Sequence, residues 1–218
     1  MIKAVLFDLD GTIINSEEGI TKCVQYALSC FGIEEPDRKK LLCFIGPPLD
    51  PVFREKYGFD ADKAWQAVLK YRERFDKTGI FECELYEGVA DTIRKLKEAG
   101  CVIALASSKP ETACRRILEH FSLTPYFDEI VGSTLDGSIS TKQQVLEELG
   151  RRMEHMQITK DEMCLIGDTE YDVIGADQFG IRCVGVSYGF GKREQLERAG
   201  AYCVCDSMAE VVDALQQM

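Results

Sequence analysis

The sequence predicts an α/β fold: a Rossmann-like parallel sheet core with helices on both faces, interrupted by an inserted helical domain. Three observations carry that expectation. Short apolar runs recur along the chain with helical segments between them, and the runs are near-continuous rather than alternating, as in strands buried on both faces. The stretch 15–84 breaks this rhythm, with helical periodicity and no strand signal after its first helix. The composition, 45% hydrophobic and 29% charged over 218 residues, suits a chain that buries its own core and excludes disordered, collagen-like and coiled-coil readings.

The first run, Lys3-Ala4-Val5-Leu6-Phe7, is ended by Asp8-Leu9-Asp10-Gly11 and reads as a buried strand stopping at a loop. Ser16 is expected to cap the next helix, with Glu17 and Glu18 in its first turn. Ile20, Val24, Ala27, Leu28 and Phe31 share one face of that helix, and Gly32 is expected to end it. Further helical segments are predicted over 38–44, 52–57 and 61–75, the first two parted by Gly46-Pro47-Pro48. Trp65 and Tyr71 are assigned to the interior of this domain. Arg54, Arg72 and Arg74 are assigned to its surface.

After Tyr86-Glu87-Gly88 the texture changes. A helix through Ile93 and Leu96 ends at Gly100, and Cys101-Val102-Ile103-Ala104-Leu105-Ala106 is a second buried strand. Strands are predicted again at 129–131, 163–166 and 183–186, with a weaker one at 201–204. Helices are predicted around 111–121, 142–154, 172–179, 192–199 and 207–216. The organisation is therefore an α/β core of residues 1–14 and 85–218 around a helical domain of residues 15–84. There is no internal repeat or low-complexity segment.

Ligands of open α/β sheets bind beyond the carboxyl ends of the strands, so the residues just past each strand bear on function. The first strand leads into Asp8-Leu9-Asp10-Gly11-Thr12, the second into Ser107-Ser108-Lys109-Pro110 and the fourth into Gly167-Asp168-Thr169-Glu170-Tyr171-Asp172; Lys142 stands near the helix start after the third. One aspartate after a strand is an ordinary turn residue or helix cap. Several converging on one crevice are not, because two carboxylates about 4 Å apart repel by roughly 4 kcal/mol at an effective dielectric of 20. A hard divalent cation with oxygen ligands relieves that repulsion, and Mg²⁺ suits a site shared with phosphate. Acids, metal and lysine together point to phosphoryl chemistry.

At these residues the chain resembles the haloacid dehalogenase superfamily, in particular its phosphatases with a helical cap inserted after the first motif. Asp8-x-Asp10-Gly11-Thr12 looks like the nucleophile motif, Ser107 the second motif, Lys142 the third-motif lysine and Gly167-Asp168-x-x-x-Asp172 the acidic metal motif. The resemblance spans the whole chain. It implies that Asp8 attacks phosphorus to form an aspartyl-phosphate, and that Asp10 serves the leaving group and then the attacking water as acid and base. It implies Mg²⁺ held by Asp8, Asp10 (through its backbone carbonyl), Asp168 and Asp172, the last directly or through water. It also implies phosphoryl oxygens bound by Ser107, Ser108 and Lys142, with Gly11 and Thr12 shaping the phosphate-facing turn. Residues 15–84 would be the cap, and Phe44-Ile45-Gly46-Pro47-Pro48-Leu49 is similar to a 5′-nucleotidase-like and phosphoglycolate phosphatase-like branch. Thr169 and Glu170 are read as spacers where relatives often carry basic residues. Lys109 is read chiefly as opening the next helix, with contact to the substrate as its second reading, and Gly189-Phe190-Gly191-Lys192 as a turn before a helix rather than a nucleotide loop.

The formal charge of −11 and the shortness of the basic clusters argue against nucleic acid or an anionic membrane as partner. No apolar stretch approaches a membrane span. The ten cysteines are scattered without a CxxC pair, which fits free thiols in a reducing cytoplasm better than a disulfide framework or a zinc site. The expectation is a cytoplasmic Mg²⁺-dependent phosphatase of a small phosphorylated metabolite, a nucleoside 5′-monophosphate or a phosphoglycolate-like compound, working as a monomer or small homo-oligomer. A phosphomutase or pyrophosphatase of the same fold is the alternative within the class. A phospho-acceptor signalling module is the alternative outside it, disfavoured by length and by the inserted domain.

Overall fold

The structure is a computed structural model that describes all residues, Met1–Met218. The chain divides into two compact units, Met1–Ile14 with Leu85–Met218, and Asn15–Glu84. In chain order the elements are β1 (Ala4–Phe7), β2 (Ile14–Asn15), α1 (Glu17–Ser29), α2 (Leu49–Tyr57), α3 (Ala61–Phe75), β3 (Glu84–Leu85), α4 (Val89–Glu98), β4 (Val102–Pro110), α5 (Glu111–His120), β5 (Glu129–Ser133), α6 (Lys142–Met153), β6 (Met163–Gly167), α7 (Glu170–Phe179), β7 (Arg182–Val186), α8 (Arg193–Ala199), β8 (Cys203–Cys205) and α9 (Met208–Gln216).

The larger unit is built on a six-stranded sheet in the order β5-β4-β1-β6-β7-β8, parallel at every pairing. The apolar runs explain it. Ala4, Leu6, Ala104, Ala106 and Leu165 pack with Val145, Leu146 and Leu149 of α6 and Val173 and Ala176 of α7. The alternate positions Val5, Phe7, Ile103, Leu105, Cys164 and Ile166 point to the opposite face and are equally buried. Both faces are therefore apolar, and no strand alternates.

Register sets the height of the site. Phe7 pairs with Leu105 on one side and Ile166 on the other, so β1 ends one residue short of the end of β6 and level with Leu105 inside the longer β4. That register brings Asp8, Ser107 and Asp168 to a common edge. The Asp8 amide still donates to the Ile166 carbonyl at 2.9 Å, which extends the ladder to the first acid.

The smaller unit is helical. Helix α3 begins at Ala61 because the Asp60 carboxylate caps the Lys63 amide, and α2 ends on Gly58 in the left-handed region. Segment 38–44 is a 3₁₀ helix capped by Asp37. Phe44, Phe53, Tyr57 and Phe59 form an aromatic cluster.

Several expectations are corrected. Ser16 stands at the N-cap position of α1 as expected, but its buried hydroxyl makes no capping bond; the Asn15 carboxamide accepts from the Glu17 amide at 3.1 Å instead. Helix α1 stops at Ser29, before Gly32. Strand β3 at Glu84–Leu85 pairs with β2 where the chain passes between units, a ladder too short for periodicity to reveal. Trp65 is 50% exposed with Arg72 beside its ring, whereas Tyr71 is buried as expected. Arg74 is not a free surface cation: it is half-buried and forks onto both oxygens of Glu82 at 2.7 and 3.0 Å. Helix α7 starts two residues earlier than expected, through a capping box between Thr169 and Asp172.

Candidate active site

The site lies at the carboxyl edge of β4, β1 and β6 and is built from the turn after β1. The Leu9 carbonyl accepts the amides of Thr12, Ile13 and Ile14, and the Gly11 amide donates to the Ile14 carbonyl at 2.8 Å. The chain reverses within five residues, which needs the positive φ of +84° at Gly11. A Cβ at Gly11 would also overlap the Asp168 carboxylate, so only glycine lets β1's turn close on that acid. The amides of Gly11 and Thr12 are engaged inside the turn. The buried Thr12 hydroxyl has no partner, and the Thr12 carbonyl accepts the Tyr188 hydroxyl at 3.0 Å.

Lys142, the first residue of α6, is nearly buried and reaches inward. Its ammonium donates to Asp8 Oδ1 at 2.6 Å and the Ala106 carbonyl at 2.7 Å, and contacts Asp172 Oδ1 at 2.7 Å. The Thr141–Gln144 capping box fixes the helix start from which it extends. A Cβ at Gly175 would overlap the Lys142 side chain, so the glycine in α7 opens the channel for the lysine stem.

Asp168 and Asp172 come from β6 and α7. Thr169 donates to Asp172 Oδ2 from its amide at 3.0 Å and its hydroxyl at 2.7 Å. It is thus the strut of that acid rather than a spacer. Asp168 is fully buried; its Oδ2 accepts the Phe190 amide at 2.7 Å, and its Oδ1 has no partner. The loop after β7 closes on it without side chains: a Cβ at Gly189 would overlap Gly11 and Asp168, and one at Gly191 the Asp168 backbone. The loop does precede α8, as expected, but its glycines also seat Asp168.

Each of Asp8, Asp168 and Asp172 offers an oxygen within 4.8 Å of the others. The cluster holds three carboxylates and one ammonium, paired with Asp8 and Asp172, which leaves two formal negative charges in a buried site. Burial, reinforced by Asp172 and Asp10, pushes Asp8 up to about 6 despite the pull of Lys142. Burial, then Asp172 and Asp8, holds Asp168 well above the usual carboxylate range against the Phe190 and Gly191 amides. Burial would lower Lys142, but Asp172 and Asp8 outweigh it and hold the ammonium above the ordinary lysine range. The excess negative charge and the orphaned Asp168 Oδ1 fit a divalent cation with oxygen ligands. The Asp10 carboxylate itself turns aside to Lys109, at 2.9 and 2.7 Å.

Of the other expected residues, Ser107 is buried at the end of β4's regular pairing, and its hydroxyl accepts the Lys109 amide at 3.3 Å. Ser108 is half-buried beside it. All the expected core residues share this edge. The sequence pattern did not single out Lys109, Thr169, Tyr188 or the glycines 189 and 191 as parts of the site. A lysine directly after Ser107-Ser108 was a usable signal for the first; nothing local marked Tyr188.

Comparison with known proteins gives a consistent result. Residues 5–186 match the family described as haloacid dehalogenase-like hydrolase. A 5′-nucleotidase of Pseudomonas aeruginosa is 39% identical over 212 residues, covering 97% of this chain and 95% of that protein. The pyrophosphatase PpaX of Bacillus mycoides is 30% identical over 217 residues, covering 100% and 98%. The crystal structure of a predicted phosphatase from Clostridium acetobutylicum superimposes with a TM-score of 0.92 at 44% identity, covering all of both chains. No helix of this chain is long and apolar enough to cross a membrane.

Proposed function

The chain belongs to the haloacid dehalogenase-like hydrolase family, and from that premise we propose that it is a Mg²⁺-dependent phosphatase of small phosphomonoesters. The observation that carries the proposal is the convergence of Asp8, Asp168 and Asp172 on one another, with Lys142 paired to the first and the last. Such a cluster is costly to bury unless a cation completes it.

Asp8 is the nucleophile. Its Oδ attacks phosphorus in line, the P–O bond to the leaving group breaks, and an aspartyl-phosphate forms. Asp10 gives its proton to the departing alkoxide, then accepts one from the water that attacks the acyl-phosphate. Inorganic phosphate leaves and the Asp8 carboxylate is regenerated. Lys142 neutralises Asp8 and Asp172 and faces the phosphoryl oxygens with Ser107 and Ser108, stabilising charge where it develops. Mg²⁺, held by Asp8, the Asp10 carbonyl, Asp168 and Asp172, would supply the positive charge that admits a phosphate dianion among these acids.

The helical unit 15–84 is assigned as the cap that selects the leaving group. A nucleoside 5′-monophosphate is the favoured substrate, given the 5′-nucleotidase relative. Pyrophosphate is the second reading, given PpaX. Phosphate release should be measured over nucleoside 5′-monophosphates, phosphoglycolate, sugar phosphates and pyrophosphate, with Mg²⁺ and then with EDTA. Metal-dependent release that Asp8→Asn abolishes is expected. Undiminished turnover by Asp8→Asn would overturn the mechanism, and recovery of a phosphorylated sugar instead of free phosphate would make the protein a mutase.

A further inference from the structure

Asp10 sits on a turn with two rotatable side-chain bonds, yet general acid catalysis demands a carboxyl held to within a fraction of an ångström. The ammonium of Lys109 lies 2.9 Å from Asp10 Oδ1 and 2.7 Å from Oδ2. Both side chains are largely buried, at 8% and 14% exposure. One cation spanning both oxygens fixes the plane of the carboxylate as well as its direction.

The backbone is built to deliver that ammonium. The pairing of β4 with β5 changes register between Ala106 and Pro110, so the strand carries Ser107, Ser108 and Lys109 through an irregularity and resumes at Pro110. Three contacts hold Lys109 there. Its amide donates to the Ser107 hydroxyl, and its carbonyl accepts the Cys114 thiol at 3.5 Å. The same carbonyl lies so close to Gly132 that a Cβ would overlap it. A lysine serving only to offset a buried acid would need none of this, because a flexible four-carbon stem finds a carboxylate from many starting points.

We propose that Lys109 is a positioning residue for Asp10, holding its carboxyl where a leaving-group oxygen can take the proton. The proposal rests on the assignment of Asp10 as proton donor. Its signature is dependence on the leaving group. An alkoxide leaves only with a proton, whereas p-nitrophenolate leaves without one, so losing Lys109 must harm the first kind of substrate more than the second.

The test compares kcat/KM for a nucleoside 5′-monophosphate and for p-nitrophenyl phosphate, with Mg²⁺ present, in the native protein and in Lys109→Met, Lys109→Gln, Lys109→Arg and Asp10→Asn. Because the ratio is taken within one preparation, it does not depend on how much of a variant is folded. Lys109→Met and Lys109→Gln should lower the alkyl-to-aryl ratio at least tenfold, within the roughly 10²–10⁴-fold that a general acid contributes. Lys109→Arg should recover most of that ratio, and Asp10→Asn should show the largest fall. An unchanged or increased ratio in Lys109→Met and Lys109→Gln, beside a fall in Asp10→Asn, would overturn the role of Lys109 alone. An unchanged ratio in Asp10→Asn would overturn the proton-donor assignment and the proposal with it.

Discussion

Lys142 and Asp8 stand 134 positions apart in the chain, and the lysine ammonium lies 2.6 Å from Asp8 Oδ1. The same nitrogen lies 2.7 Å from Asp172 Oδ1, so one buried cation ties the end of strand β1 to helix α7. Breaking a buried ion pair from one side leaves charge without compensation, which costs more than the pair itself contributes.

Lys142→Met should therefore be destabilised by about 3–5 kcal/mol in metal-free buffer near pH 7. Urea unfolding in EDTA measures it. The deficit should shrink toward pH 4, where Asp8 is protonated in the folded protein. A deficit independent of pH would mean that lost packing, not lost charge, is responsible.

Asp8 gives the metal-free protein a defined pH dependence. Its folded-state value of about 6 lies above the ordinary 3.8, so the native state binds the proton more tightly than the unfolded chain. The associated stability is complete below pH 3.8 and is lost as pH rises through about 6. The loss is about 3 kcal/mol by proton linkage. Asp8→Asn lacks this component, so its stability relative to the native protein should increase between about pH 4 and pH 7. Parallel unfolding curves for the two proteins across that range would contradict it.

Mg²⁺ should raise the unfolding temperature. Binding at a hundredfold excess over Kd adds about 2.7 kcal/mol, a shift of about 5–10 °C for a chain of this size. Asp168→Asn should lose most of the shift, yet be at least as stable as the native protein without metal, since it removes one of three crowded acids. Differential scanning calorimetry with Mg²⁺ and with EDTA gives both numbers. An undiminished shift in Asp168→Asn would remove that residue from the ligand set.

Gly189→Ala should disturb Asp168, because the added methyl overlaps both the Gly11 carbonyl and the Asp168 carboxylate. Overpacking of this kind costs about 1–3 kcal/mol, and activity should fall at least tenfold. Full activity in Gly189→Ala would show that the loop after β7 does not seat the acid.

Much of the fold was legible because its signals are local. An apolar run such as Val102–Ala106 is buried on both faces wherever it sits in the sheet, and α3 announces itself through Asp60 and its apolar face. Errors fell where a signal was short or shared. β3 spans two residues, too few for a period. Ser16 and Asn15 are both good caps, and only backbone geometry decided between them. Trp65 looked apolar enough for the interior, yet Ala64, Ala67, Val68 and Tyr71 fill the buried face of α3 without it.

The sequence alone marked the residue types of the candidate site: acids after β1 and β6, hydroxyls late in β4, and a lysine opening α6. Those residue types at those positions are a one-dimensional fact. Tertiary structure alone decided which charges meet. Lys109 finds Asp10, Lys142 finds Asp8, and the glycine loop 189–191 closes on Asp168 because β4, β1, β6 and β7 are adjacent in a fixed register. Strand order and register bring residues from distant segments into hydrogen-bonding range of one another, and no local pattern of hydrophobicity encodes that placement.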